Sequence, residues 1–212
     1  MNQKGYVLLG DIISSKKINQ RSKFQEKLIE VCNVVNQTNG KDIIAPMKII
    51  KGSDEIGGLL RNPAPLYSIV NRILQDLYPV KIRFVMVQGE IDTGLDTEDI
   101  SLMDGPAFHQ AAKLMADLKK EKLILNVHTS NKIVDTLLSN NINLIYLIKQ
   151  HWSPAKREII RSYEEGNDQS KVAQELGITQ QTVSYHLKSS HWKEIKKMEA
   201  NLNQVLQYLK VG

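Results

Sequence analysis

Two sets of residues in this chain have side chains and spacings suited to chemistry or to binding. The first is a pair of aspartates, Asp11 and Asp54, each next to short apolar runs rich in strand-forming residues. The second is the segment 169–188, QSKVAQELGITQQTVSYHLK, in which apolar residues recur at helical spacing between amides, hydroxyls and lysines. Paired carboxylates suit a hard cation, and an exposed polar helix face suits a nucleic acid.

Asp11 and Asp54 are candidate ligands of a divalent metal. Asp11 ends an apolar segment, and Asp54 lies in the turn between strands predicted at 48–50 and 56–60. In a split βαβ sheet the third strand lies antiparallel beside the first, so this turn meets the end of the first strand. Carboxylates that converge there repel each other unless a cation such as Mg²⁺ lies between them. The alternative is that each aspartate only stabilises a turn.

The elements that must position these residues predict an α+β fold. The order strand, helix, strand, strand, helix, strand is the split βαβ plan of ferredoxin-like folds, with helices on one face of the sheet. A further helix and strand follow, and after residue 130 the pattern is helical throughout. The predicted elements are 6–13, 20–37, 48–50, 56–60, 63–77, 81–91, 106–120 and 123–127. We therefore predict a ferredoxin-like domain over 1–150 and an all-α domain over 151–212, with a helical connection.

The segment 169–188 predicts a helix-turn-helix. Asp168 and Thr179 are suited to cap the two helices, and Gly177 provides the left-handed residue that a tight turn between them needs. Val183 and Leu187, four residues apart, face inward on the second helix. Its outward residues are suited to base edges and phosphates of double-stranded DNA. We predict that the contact residues are Thr179, Gln180, Gln181, Thr182, Ser184, Tyr185 and Lys188. The alternative is a helical pair used only for packing.

The last helix has apolar residues at steps of three and four, namely Ile195, Met198, Leu202, Val205 and Leu209. This spacing is compatible with packing inside its own domain and equally with a seam between two copies of the chain. Because dimeric DNA readers need a fixed half-site spacing, we expect a homodimer.

Composition excludes some classes of protein. The formal net charge is +5, divided as +3 before position 150 and +2 after it, so neither half of the chain is a basic arm. From Thr179 to Lys197, four lysines stand against Glu194 alone, and this local basic stretch favours a nucleic acid. The single cysteine excludes a disulfide framework within one chain. Apolar runs are too short for a membrane helix or a signal peptide, so we expect a cytoplasmic protein without a membrane partner.

Four segments carry a resemblance to a known family. They are GDIISSK (10–16), SDEIGGLL (53–60), RFVMVQGEIDT (83–93) and DGPAFHQAAK (104–113), and with the C-terminal motif they are similar to the SatD family of bacterial proteins. The same segments resemble, more distantly, the palm domains of nucleotidyl cyclases and GGDEF proteins. The resemblance implies a palm-type domain joined to a DNA-binding domain, and it places Asp11 and Asp54 on the two metal-binding aspartates of the palm, with the Ile12 carbonyl beside them.

The resemblance also shows departures from the palm enzymes. Ser53 stands where a glycine usually precedes the second aspartate, and His109 and Lys113 stand where the cyclases use asparagine and arginine. Losing such electrostatic stabilisation costs orders of magnitude in rate, so we do not expect cyclase or polymerase turnover. Asp104 and Lys113 remain candidate nucleotide-binding residues; the alternatives are that Asp104 caps the helix and that Lys113 is solvated.

Two functions therefore compete at this point. The first is a DNA-binding transcriptional regulator whose N-terminal domain binds a metal–nucleotide ligand or mediates dimerisation. The second is a divergent Mg²⁺-dependent nucleotide-processing enzyme of the palm class. Salt-dependent binding to duplex DNA distinguishes the first from the second.

Overall fold

The computed structural model describes residues 3–52 and 54–210, and within them the chain forms five strands and eight helices. The predicted order of elements is observed, and the α+β prediction is confirmed. The bounds are β1 Gln3–Ile12, α1 Arg21–Asn39, β2 Ile43–Lys51, β3 Glu55–Leu60, α2 Leu66–Asp76, β4 Ile82–Ile91, α3 Pro106–Leu118, β5 Leu125–His128, α4 Lys132–Lys149, α5 Pro154–Glu164, α6 Gln169–Leu176, α7 Gln180–Ser189 and α8 Trp192–Tyr208.

The chain divides into two compact units. The first is Met1–Ile142 together with Asn203–Gly212, and the second is Asn143–Leu202. The sequence prediction placed the division at residue 150 and assigned everything after it to one domain. The structure divides the chain inside α4 and again inside α8, because the last residues belong with the first unit.

The first unit contains a five-stranded mixed sheet with the strand order β2-β3-β1-β4-β5. β1 is antiparallel to both β3 and β4, whereas β5 is parallel to β4. The first four strands thus have the arrangement expected of the split βαβ plan, and β5 extends the sheet beyond β4. Asp11, near the end of β1, lies opposite Glu55 on β3 and Arg83 on β4.

Helices cover both faces of this sheet, so the expectation of helices on one face is wrong. Val7, Val85 and Val87 pack with the buried side of α3 in one core cluster. Side chains alternate along a strand, so Leu8, Phe84 and Met86 point to the opposite face, and they are fully buried as well. α1 and α2, which contact each other, supply apolar residues outside the α3 cluster. These residues are Leu28, Val31, Leu66, Ile69 and Ile73.

Close backbone contact fixes α3 against β4. A Cβ added to Gly89 would lie 3.0 Å from the Cβ of Ala107, so two small residues let the helix approach the strand. Gly105, directly before α3, has a φ of 151°, and a Cβ there would meet the backbone of Asp92 and Glu90 at 2.8 and 2.9 Å. Only glycine fits at this entry to the helix.

The second unit is helical. Ile159 and Ile160 of α5, Val172 of α6 and Ile195 of α8 are buried in it. Ser153 caps α5 by accepting a hydrogen bond from the Lys156 N–H, as the Ser-Pro pair predicts. No helix in the described part of the chain has both the length and the apolarity needed to cross a bilayer.

Candidate functional site

α7 is held by a cap at its start and by two apolar side chains along its inner side. The Thr179 hydroxyl accepts a hydrogen bond from the Thr182 N–H at 3.1 Å, as predicted. Val183 is fully buried and Leu187 is 7% exposed. Gly177, between α6 and α7, has a φ of 64° and ends α6 in the left-handed conformation. The sequence therefore specifies both the direction of α7 and the side that it buries.

The outer side of α7 is open. Its predicted contact residues are exposed at Thr179, Gln180, Gln181, Tyr185 and Lys188, and half-buried at Thr182 and Ser184. Tyr185 is 67% exposed, which is unusual for an aromatic side chain in the middle of a helix. The face that the sequence assigned to DNA is thus accessible in the folded chain.

α7 has a basic residue but no acidic one, and the two acidic residues just before it are hydrogen-bonded elsewhere. The helix contains Lys188 and no carboxylate, whereas the preceding α6 contains Glu175 and is capped by Asp168. Asp168 caps α6 by accepting from the Lys171 N–H at 2.8 Å. The Glu175 carboxylate accepts hydrogen bonds from Ser162 and Asn167 at 2.9 and 3.2 Å. Both acids are therefore engaged within the second unit, and α7 presents amide, phenol and ammonium groups.

The apolar residues of α8 are used mainly within the chain. Ile195 and Leu202 are buried, and Leu206, which the spacing did not select, is fully buried. Val205 is 48% exposed and Tyr208 is 73% exposed. The buried side of α8 therefore differs from the predicted seam, since it includes Leu206 and leaves Val205 exposed. Packing within the chain uses most of the apolar residues of this helix.

The carboxylate of Asp11 is compensated by two basic side chains. It is 14% exposed; Lys119 Nζ lies 2.6 Å from Oδ1, and Arg83 Nη1 lies 3.8 Å from Oδ2. Lys119 directly follows α3, so the α3 packing that buries Val85 also brings this ammonium to the end of β1. Arg83 Nε is buried and has no hydrogen-bond partner among the described residues. Asp11 is thus paired with one ammonium and one guanidinium group.

Asp54 lies beside the end of β1, as the topology predicts. Its backbone carbonyl accepts a hydrogen bond from the Ile12 N–H at 2.9 Å, and its side chain is partly buried. Ser53, the departure from the palm pattern, lies outside the described residues.

Asp11 and Asp54 supply two carboxylates, and a magnesium ion held by them needs further oxygen ligands. Within 3–52 and 54–210, no group of three or more histidine, cysteine, aspartate or glutamate residues is placed to hold a metal ion. An ammonium already neutralises the Asp11 carboxylate, and a hard cation would have to displace it. The magnesium site therefore stays a prediction, and no reaction step is assigned to it.

Asp104 lies at the other end of α3 from Asp11. The Asp104 carboxylate accepts from the Gly105 N–H at 2.8 Å and lies 3.2 Å from His109 Nε2. It does not cap the helix in the expected way, because the residue at the cap position is Gly105. Lys113 is exposed one turn beyond His109. The 13-residue helix is about 18 Å long, so Asp104 and Asp11 cannot contact the same phosphate group.

Comparison with known proteins identifies the chain. Residues 6–204 match the SatD family. The chain belongs to the SatD family. No curated protein matches it. Two solved structures of a bacterial light-regulated adenylyl cyclase are similar to it, at 13% and 14% identity and a TM-score of 0.41 each. The similarity covers 60% of this chain in both cases, and 76% and 43% of the respective cyclase chains.

In this SatD-family chain, the sequence analysis missed the basic partners of Asp11. No role was predicted for Lys119 or Arg83. The antiparallel pairing of β1 with β4 sets Arg83 opposite Asp11, so a register prediction could have found it. Lys119 reaches Asp11 only because α3 packs across the sheet, and a single sequence carries no local signal for that contact.

Proposed function

We propose that this SatD-family protein binds double-stranded DNA by inserting α7 into the major groove, and that it acts as a transcriptional regulator. The observation that carries the proposal is the outer side of α7. Gln180, Gln181, Tyr185 and Lys188 are exposed there, on a helix without a carboxylate. Amides suit base edges and the ammonium suits a phosphate.

Rigidity supports this proposal as well. A recognition helix must keep its side chains in register with the base pairs, so it has to be fixed to the body of its domain. The Thr179 cap, the Gly177 turn and the buried Val183 and Leu187 fix α7 in this way. A helix used only for packing would not require an exposed aromatic residue between an amide and a lysine.

The proposal is tested by fluorescence anisotropy with a labelled duplex of mixed sequence over a series of salt concentrations. We expect the logarithm of the affinity to fall linearly with the logarithm of salt concentration. Lys188→Ala removes one phosphate contact and lowers the slope by about 0.9. Lys27→Ala changes the same charge at an exposed position of α1 and leaves the slope unchanged. A wild-type protein without salt-sensitive association at low ionic strength overturns the proposal.

We further propose that the active form is a homodimer. The argument is geometric: readers with a single recognition helix gain affinity when two copies bind half-sites about one helical turn apart. Val205 of the predicted seam and Tyr208, three residues after it, are exposed on α8 and available for such a contact. Sedimentation velocity of the full chain tests this, and a monomer at all concentrations up to those used for DNA binding contradicts it.

For the N-terminal unit we propose binding of a phosphorylated ligand at the start of α3. His109 and Lys113 are exposed one turn apart there, beside Asp104, and an imidazole N–H donor next to an ammonium group suits a phosphate. Titration with nucleoside triphosphates, with and without Mg²⁺, tests binding, and Lys113→Ala weakens it. Chromatography of the mixture tests the alternative, since a palm-class enzyme forms a product and a sensor does not.

A further inference from the structure

We infer that α7 reads A·T base pairs, an inference that rests on the DNA binding proposed above. Gln181, Tyr185 and Lys188 follow one another at steps of four and three residues, so they form one stripe along the helix. All three are exposed, and the buried Val183 and Leu187 lie on the other side. In the complex, this stripe contacts the base edges in the major groove and the phosphates beside it.

Gln181 provides the preference for adenine. Within the described part of the chain, its amide makes no hydrogen bond, so both its donor and its acceptor are available to a base. Adenine presents N7 as acceptor and N6 as donor side by side, which pairs with both groups of the amide. Guanine presents two acceptors, which leaves the amide oxygen facing O6 without a partner. An unpaired polar group that is buried on binding is costly, so guanine is rejected.

Tyr185 provides the preference for thymine. Its ring is packed edge to face against His186, with centroids 5.5 Å apart and planes at 70°, so one side of the aromatic ring is supported and the rest is exposed. One helical turn separates it from Gln181, a rise of about 6 Å, which is nearly two base-pair steps of about 3.4 Å. The thymine C5-methyl is the apolar group of the major groove that such a ring contacts.

The residues that α7 lacks support the same conclusion. Guanine is read mainly by arginine or lysine, and cytosine by a carboxylate. α7 has no arginine and no carboxylate, and its lysine is Lys188, two turns after Gln181. Since base edges are met by the N-terminal part of a recognition helix, Lys188 lies where the helix leaves the groove and contacts phosphate. Selective partners for adenine and thymine are thus present, whereas arginine and carboxylate, the selective partners of guanine and cytosine, are absent from α7.

The experiment selects duplexes with a randomised core on the full-length protein and sequences the bound fraction. We expect A·T pairs to be enriched at two core positions separated by one base pair, as the rise of about 6 Å between Gln181 and Tyr185 requires. The selected duplex is then remade with 7-deazaadenine, which lacks N7, or with uracil, which lacks the thymine methyl. Each change at the read position weakens wild-type binding by at least about fivefold. Gln181→Ala makes binding insensitive to 7-deazaadenine, and Tyr185→Ala makes it insensitive to uracil. Gln207→Ala, an exposed glutamine of α8, is the matched control and keeps both sensitivities.

The possible outcomes distinguish a failure of the A·T inference from a failure of the proposed DNA binding. Salt-sensitive binding without base preference, or with G·C enrichment, overturns the A·T inference and leaves DNA binding intact. A·T enrichment that survives both Gln181→Ala and Tyr185→Ala assigns the readout to other residues and also overturns it. Absence of salt-sensitive binding to any duplex overturns the proposed function itself. Because both side chains are exposed, the variants fold and no result is lost to misfolding.

Discussion

Lys149 on α4 and Glu199 on α8 form an ion pair that is almost completely removed from water. Their side chains are 9% and 6% exposed. The other oxygen of Glu199 lies 3.1 Å from Lys196 Nζ, which is also 3.3 Å from a carboxylate oxygen of Glu164. Burial lowers the pKa of Lys149, and the neighbouring Glu199 carboxylate acts in the opposite direction. The second unit thus contains a charged network that depends on the pairing of its buried members.

Glu199→Gln is expected to destabilise the protein strongly. It leaves the Lys149 ammonium buried without its countercharge, a change that typically costs about 3–5 kcal/mol. Urea denaturation of the full chain measures the free energy of unfolding. Glu194→Gln, an exposed glutamate on the same helix, is the control and stays within about 0.5 kcal/mol of the wild type. A loss below about 1 kcal/mol for Glu199→Gln would show that the pair is solvated.

Asp42 is expected to make stability depend on pH in the acidic range. Hydrogen bonds from Asn62 and Lys210 lower its pKa below the usual 3.8. When pH falls through 3.8, the unfolded chain takes up the proton before the folded one does, so the stabilisation from Asp42 is lost as acidity increases. The difference in denaturation midpoint between wild type and Asp42→Asn should therefore shrink from pH 6 towards pH 3. Asp96→Asn, an exposed aspartate, controls for the change of charge, and a difference that stays constant over this range contradicts the prediction.

Lys119→Ala is expected to increase the affinity of the first unit for Mn²⁺. The ammonium lies 2.6 Å from Asp11 Oδ1 and therefore competes with any cation for that oxygen. Electron paramagnetic resonance of free Mn²⁺ measures binding without any assay of activity. Lys120→Ala, which removes the adjacent lysine and its pair with Asp117, leaves Mn²⁺ binding unchanged. Equal Mn²⁺ binding by wild type and Lys119→Ala would show that the lysine does not control access to Asp11.

Gly177→Ala and Gly40→Ala are expected to change stability in opposite directions. Both glycines end a helix and both have open space where a Cβ would lie, so sterics do not separate them. Gly177 has a φ of 64°, which costs an alanine about 1–2 kcal/mol. Gly40 has a φ of −52°, and alanine there reduces the entropy of the unfolded chain and stabilises by about 0.4–1 kcal/mol. Thermal unfolding of the two variants checks the sign of each change.

The segment around α6 and α7 could be predicted almost residue by residue because its signals are local. Asp168, Gly177 and Thr179 each act on backbone groups within a few residues, and the spacing of Val183 and Leu187 alone defines the buried side. The order of the strands along the chain followed in the same way from short apolar runs. Such signals act within a few residues, so they can be interpreted without knowing the tertiary structure.

What the sequence could not provide was long-range packing. β2 begins at Ile43 and not at residue 48, because pairing with β3 extends it through Pro46 with shifts of register. The second helical layer on the sheet depends on α3 returning across β4 and β1, which no local pattern encodes. The partners of Asp11 and the pair between Lys149 and Glu199 depend on the same kind of contact. Single-sequence reasoning identified Asp11 but neither its basic partners nor the pair between Lys149 and Glu199.

In α7, the residues that pack against the rest of the unit are different from the residues that are exposed. Val183 and Leu187 attach the helix to its unit, while Gln181, Tyr185 and Lys188 take no part in that attachment. The outward positions can therefore mutate freely during evolution at little risk to folding. Under the proposed DNA binding, related chains can acquire new target sequences one side chain at a time while the packing of the helix stays the same.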